Sequence, residues 1–206
     1  MSQYVIGIDE AGRGALAGPV AVGAVLFPTD LDWRSIFELV TRRGSPRLRD
    51  SKKLTARQRS LLYEHIASHR RLRHACAFVG PEVVDSIGIV KAAHRAAAAA
   101  LGELGIRPAS AEVLLDAGLK APSSWRQRSI VRGDESVPAI ALASIVAKVS
   151  RDRLMEELAP SYSPYSFEKH KGYGTLAHRQ AILRRGLTDI HRSSFCKTLL
   201  FGAKSV

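Results

Sequence analysis

Four carboxylates in a strongly basic chain pose the chemical question. Asp9 and Glu10 follow the apolar run Ile6-Gly7-Ile8, Asp116 closes Glu112-Val113-Leu114-Leu115, and Asp134 stands just before a helical pattern. Around them the 206 residues carry 31 Lys+Arg against 19 Asp+Glu, a formal charge of +12. A basic surface suits a polyanion such as nucleic acid. Acids gathered within such a surface suit hard divalent cations, which take oxygen ligands. Brought together without metal, the acids raise one another's pKa; with two cations between them they can clamp an in-line phosphoryl displacement. Two-metal phosphodiester hydrolysis is the natural reading.

Taken singly, Asp116 reads more readily as a solvated strand end, and Asp134 as a helix-side cap, than either does as a metal ligand. Asp9-Glu10 is the stronger signal, because neighbouring strand side chains face opposite ways and an ordinary half-buried strand would bury one acid. For both to coordinate, the strand must end or bulge there, or one residue must use its backbone carbonyl. Gly12-Arg13-Gly14 follows at once and can present bare backbone to a sugar-phosphate chain or simply make a tight turn. Lys169-His170-Lys171-Gly172-Tyr173-Gly174-Thr175 sets lysines beside an aromatic flanked by glycines, suited to phosphate and to a sugar or base.

Several other chemistries fail on context. Gly12, Gly14 and Ala17 satisfy a dinucleotide fingerprint, but Gly18-Pro19 and a strand-like run follow where a helix should open. Ser51 and Ser144 lack a nucleophile-elbow context. His65 and His69 share a helix face with no third ligand nearby, and Cys76 and Cys196 show no metal-binding spacing.

The elements that must position these groups follow from periodicity. Residues 4–8 and 20–27 read as an antiparallel strand pair, 73–79 as a third strand, 112–116 as a short strand ending on an acid, and 128–131 as another. Helical spacing predicts helices over 32–43, from the Thr55 capping box to Ser68, over the alanine-rich 89–104, and over 138–158. Gly80-Pro81 reads as a break. Arg47, Arg49, Lys52 and Lys53 form a basic loop, and the stretch after 160 is basic and turn-rich with a helix near 175–185. Strands mixed with helices give an α/β layer structure.

These residues resemble bacterial ribonuclease HII, the type 2 ribonuclease H. The likeness rests on Gly7 to Gly14 with Ala17-Gly18-Pro19, Asp50-Ser51-Lys52-Lys53-Leu54, Leu114-Leu115-Asp116, Gly133-Asp134, Ala143 to Val149 with Arg151-Asp152, Lys169 to Thr175, and His191-Arg192-Ser193-Ser194-Phe195. It implies a ribonuclease H-like mixed sheet flanked by helices with a small helical C-terminal part. The expected division is a catalytic domain over 1–158 and a substrate-binding appendage over 159–206. It implies cleavage of RNA in RNA–DNA hybrids and 5′ of ribonucleotides embedded in duplex DNA, leaving 3′-hydroxyl and 5′-phosphate ends, as in ribonucleotide excision repair. Asp9, Glu10, Asp116 and Asp134 then become catalytic ligands of Mg2+ or Mn2+. Gly12, Arg13, Gly14, Lys52 and Tyr173 become substrate-binding residues, with the turn reading the ribose 2′-hydroxyl and the tyrosine stacking on the sugar. A cytoplasmic monomer without membrane association is expected.

The chain departs from the family pattern at Ala117, where glycine is usual after the acid, and at Leu142, where a small residue is usual. An N-terminal extension of the kind found in ribonuclease HIII is not expected, which disfavours that relative. Two rival readings stand beside this one: a non-catalytic module binding hybrid or structured RNA, and a metal-dependent phosphohydrolase of small nucleotides.

Overall fold

The computed structural model describes residues 3–40 and 54–202, so Lys52 and its basic loop lie outside the described residues. A five-stranded sheet runs in the order β3-β2-β1-β4-β5. Its members are β1 (Tyr4–Ala11), β2 (Val20–Pro28), β3 (Arg73–Val79), β4 (Glu112–Asp116) and β5 (Gln127–Ile130). β2 pairs antiparallel with β1 and β3, while β4 lies parallel to β1 and β5. The sheet is therefore mixed, as the opening strand pair required.

Helices cover both faces. The alanine-rich α4 (Ile89–Glu103) buries Ala92, Ala93, Ala96, Ala97 and Ala100 against Ile6, Ile8, Val22 and Val113. On the other face α6 (Pro138–Leu158) and α2 (Ala56–Ser68) pack on Val25, Phe27 and Leu72. Small residues bring α6 close to the sheet. A Cβ at Gly7 would stand 2.1 Å from the Ala139 backbone, and one at Gly23 would stand 2.3 Å from the Ala143 carbonyl oxygen. The start of α6 is thus pressed onto the centre of β1 and β2, which fixes the height of whatever precedes it.

The predicted capping box is present: the Thr55 hydroxyl accepts from the Gln58 amide and the Gln58 side chain accepts from the Thr55 amide. Other expectations need correction. Gly80-Pro81 opens a helix, α3 (Pro81–Ile87), because proline is accommodated in a first turn as readily as in a loop. The helix expected over 32–43 is the short α1 (Trp33–Glu38) in its described part, and β5 sits one residue earlier than predicted. Leu142 is fully buried between α6 and the sheet, where its bulk contributes to packing.

The C-terminal stretch holds a 3-10 helix (Ala159–Tyr165) and the helices α7 (Phe167–His170), α8 (Leu176–Arg185) and α9 (Ser193–Gly202). Their small core of Tyr165, Phe167, Ile182 and Cys196 also takes in Met155 from α6 and Ala17 from the loop after β1. That loop is consequently held from both sides. Among the described residues no helix is long and apolar enough to cross a membrane.

Candidate active site

The acids meet at the carboxyl ends of the parallel strands, the edge where open α/β sheets place their ligands. The β1–β4 ladder ends at the pair Ile8 and Leu115, so continuing its register sets Asp9 beside Asp116. Neighbouring strands lie about 4.8 Å apart, which brings the two side chains alongside each other. Asp134 reaches the cluster from the short helix α5 (Gly133–Ser136), just ahead of α6 as expected. The Gly133 amide donates to Asp116 Oδ1 at 2.8 Å and ties the two approaches together.

The strand neither ends nor bulges at Asp9-Glu10, because β1 pairs with β2 as far as Ala11. Only the edge towards β4 opens, and through it both acids line one cavity of about 390 Å³. Alternation is preserved and the sheet simply runs out beneath it. Ala117 likewise needs no special backbone, since Gly118, one residue later, takes the positive φ of 90°.

Electrostatics set the cluster apart from the other acids. Asp9 is 8% exposed, and its pKa is pushed up to about 8 by burial first, then by Glu10, Asp116 and Asp134, against one opposing bond from the Glu10 amide at 2.8 Å. Burial also raises Glu10, with Arg13 acting against it through an ion pair of 3.2 Å to Oε1. Glu10 Oε2 is buried and has no hydrogen-bond partner among the described residues. A carboxylate oxygen left without a donor, beside an acid that holds its proton to about pH 8, suits a cation. No three His, Cys, Asp or Glu side chains among the described residues form a ready metal cage. A cation here would complete its shell with water or substrate phosphate, as magnesium usually does.

The turn and the tyrosine come together across 161 positions of sequence: the Gly12 amide donates to the Tyr173 hydroxyl at 3.2 Å. Gly12 has φ +82°, and a Cβ there would stand 1.9 Å from Arg151 Nε. Only glycine fits that contact. Arg13 swings back to Glu10, and Gly14 is exposed. Two buried arginines hold this arrangement. Arg151 donates to the carbonyls of Pro19, Lys171 and Ala17 at 2.9, 2.9 and 3.0 Å; Arg192 donates to Gly18 and Arg13, both at 3.0 Å.

The sequence reading gave neither arginine a role. The signal for Arg151 lay in its spacing, since Ala147, Arg151 and Met155 form one buried stripe of α6 at intervals of four. Arg59, Ile145 and Lys148 also line the cavity without having been given a role, and so does Ser144, weighed only as a nucleophile. Lys148 Nζ lies 5.3 Å from the Tyr173 ring centroid and pairs with Asp152 at 2.8 Å. The Ser144 hydroxyl donates to the Ala141 carbonyl within its own helix, which leaves it no nucleophilic role.

A carboxylate cluster at the strand ends of this mixed sheet, faced by a glycine turn and an aromatic, is the arrangement expected of a nuclease of the ribonuclease H type. Similarity agrees: the ribonuclease H2 of Pyrococcus horikoshii superposes with a TM-score of 0.71 at 23% identity, covering 98% of this chain and 100% of that one. The Mn2+ complex of Bst-RNase HIII superposes at 0.70 with 19% identity, covering all of this chain and 71% of the other. The family model described as Ribonuclease HII matches residues 6–198. The Ribonuclease HII of Caldicellulosiruptor bescii is 42% identical over 199 residues, 96% of this chain and 89% of that protein. The chain belongs to the ribonuclease HII family and is an endoribonuclease acting on RNA–DNA hybrids.

Proposed function

We propose that this nuclease cuts 5′ of ribonucleotides, within hybrids and singly embedded in duplex DNA, and that Asp9, Glu10, Asp116 and Asp134 hold the divalent cations the reaction needs. The carrying observation is the buried acid cluster, in which Asp9 is pushed up to about 8 and Glu10 Oε2 lacks a donor. Mg2+ or Mn2+ bound there would supply an activated water and charge stabilisation at the leaving 3′-oxygen. The 5′-phosphate and 3′-hydroxyl products follow from that polarity.

The chain's own groups select and orient the substrate. Asp9 and Asp116 stand side by side on the α6 face, Asp134 closes the cluster from α5, and Glu10 approaches from the other face with Arg13 steadying Oε1. The 2′-hydroxyl distinguishes RNA from DNA, and the Gly12-Arg13-Gly14 backbone is the group available to read it. Tyr173 is half-buried above the same cavity with its hydroxyl on Gly12, so its ring can pack on the sugar only where the turn is engaged. Residues 159–206 act as the substrate-binding appendage that carries this ring, with Lys52 adding a phosphate contact.

Product mapping on a duplex with one embedded ribonucleotide, with and without Mg2+, tests the reading. The expected result is one metal-dependent cut 5′ of the ribonucleotide, leaving a 3′-hydroxyl. Cleavage only within longer RNA tracts, or a 3′-phosphate product, would overturn it. Specific metal-independent binding without cleavage would instead favour a non-catalytic module.

A further inference from the structure

At the end of the sheet opposite the acids lies a second cleft, of about 580 Å³, lined by Tyr4, Arg70, Arg71, Arg73, Arg107 and Ser110 among others. The arginines come from two separate chain segments, the turn from α2 into β3 and the turn after α4, which converge beside the first residue of β1. Arg71 pairs with Asp30 at 2.6 Å. Arg70, Arg73 and Arg107 are exposed and hold no ion pair among the described residues. Arg73 reaches across the cleft, since a Cβ at Gly105 would stand 3.4 Å from its Nη2. The Tyr4 ring is 38% exposed at the cleft.

We propose that this cleft is a second nucleic-acid site that takes a single-stranded segment. Guanidinium groups bind phosphate oxygens through two parallel hydrogen bonds, and arginines on two segments suit more than one phosphate of a chain. The tyrosine face is set in a recess, where only an unstacked base can reach it; paired bases in a duplex keep their faces covered. Tyr4 and Asp9 share β1, so at about 3.3 Å per residue the two sites stand on the order of 16 Å apart along the strand. The cleft therefore lies outside the cavity of the acids and can act without the metal chemistry.

The test is fluorescence anisotropy on the whole protein in EDTA with a labelled all-deoxy single-stranded 12-mer. The Arg73→Gln/Arg107→Gln double variant should bind at least about tenfold more weakly, with its salt slope reduced by about 1.4, the value for two phosphate contacts on a single strand. Tyr4→Ala should weaken binding by about fivefold or more and leave the salt slope unchanged. The exposed pair Lys91→Gln/Arg95→Gln on α4 removes equal charge elsewhere and should bind like wild type. Cleft variants that bind like wild type, or a control pair that loses as much, would overturn the proposal. So would displacement of the 12-mer by a nucleoside monophosphate at equal concentration, which would mark a mononucleotide pocket. Cleavage of a short blunt duplex with one ribonucleotide should be unchanged in the cleft variants, so the outcome is independent of the carboxylate assignment. Tyr4→Phe, which keeps the ring, should retain binding and shows that a loss in Tyr4→Ala is not one of folding.

Discussion

Two buried polar clusters face each other across the Gly12 turn, and they are built on opposite terms. In the acid cluster like charges are stacked at strand ends, Asp9 is pushed up to about 8, and Glu10 Oε2 is left without a donor. In the C-terminal cluster each histidine nitrogen of the chain has its partner. The Thr188 amide donates to His191 Nδ1 at 3.0 Å, His191 and His178 share a bond between their Nε2 atoms at 3.1 Å, and His178 Nδ1 meets the Tyr173 carbonyl at 3.0 Å. A carbonyl only accepts, so His178 carries its proton on Nδ1, His191 carries its own on Nε2, and both rings are neutral. One cluster is left electrostatically incomplete, a state that the proposed cations would relieve. In the other every histidine ring nitrogen is matched, and the relay presents Tyr173 at a fixed position.

The largest effect should come from the incomplete side. Asp9→Asn should lower cleavage of a ribonucleotide-bearing duplex by at least about 10³-fold, the scale of the several kcal/mol a catalytic metal supplies. Activity near wild type at saturating Mg2+ would remove Asp9 from the ligand set. The same substitution should leave the metal-free fold intact, because it replaces a buried acid by a neutral isostere.

On the complete side the equivalent removal should cost the fold. Arg151→Met strands the carbonyls of Pro19, Ala17 and Lys171, and losing a buried charged donor of this kind destabilises by roughly 3–5 kcal/mol. Denaturant midpoints would show it, and Arg151→Lys should recover only part, since an ammonium cannot reproduce the guanidinium fork. Full stability in Arg151→Met would mean that these carbonyls are satisfied by water and that the loop does not depend on the arginine.

This division also separates what could be read from the sequence. The acids, the turn and Tyr173 were legible because their chemistry is local: strands ending on carboxylates and an aromatic between glycines. The mixed sheet followed from the opening strand pair. What the sequence hid was the fastening, because Arg151 and Arg192 act on backbone carbonyls up to 179 positions away, and no local pattern records such a partner. Arg192 at the N-terminal edge of α9 has no helical stripe to betray it. Helix α3 was missed for a different reason, since Gly80-Pro81 is compatible with a break and with a helix start alike.

The clusters should also pull stability in opposite directions with pH. Asp9 has a folded pKa of about 8, above its ordinary 3.8, so its contribution is full below about pH 4 and declines as pH rises to 8. Glu10, also raised, acts in the same sense. His178 and His191 are pushed down by burial from 6.5 to about 4, so their contribution is full above 6.5 and declines as pH falls towards 4. Each group supplies a slope of about 1.4 kcal/mol per pH unit within its window. Melting of the metal-free protein should therefore peak near pH 6.5 and fall by roughly 1–2 kcal/mol towards pH 8. Asp9→Asn should flatten the alkaline fall and steepen the rise between about pH 4 and 6.5, where Asp9 opposes the histidines, and Mg2+ should flatten the alkaline fall. A wild-type profile that keeps rising to pH 8 would contradict the acid-cluster electrostatics.

The smallest expected effect lies where the clusters touch. Tyr173 belongs to the complete side through its carbonyl, held by His178, and to the incomplete side through its hydroxyl, which accepts the Gly12 amide at 3.2 Å. Tyr173→Phe removes only the second link and keeps the ring. Losing one neutral hydrogen bond is worth about 1 kcal/mol, so kcat/KM at an embedded ribonucleotide should fall about fivefold. Tyr173→Ala, which also removes the ring, should cost more, and the excess measures stacking alone. If Phe and Ala lose equally, the tyrosine acts through the turn and the ring does not contact the sugar; if Phe loses nothing, ring placement rests entirely on the histidine side.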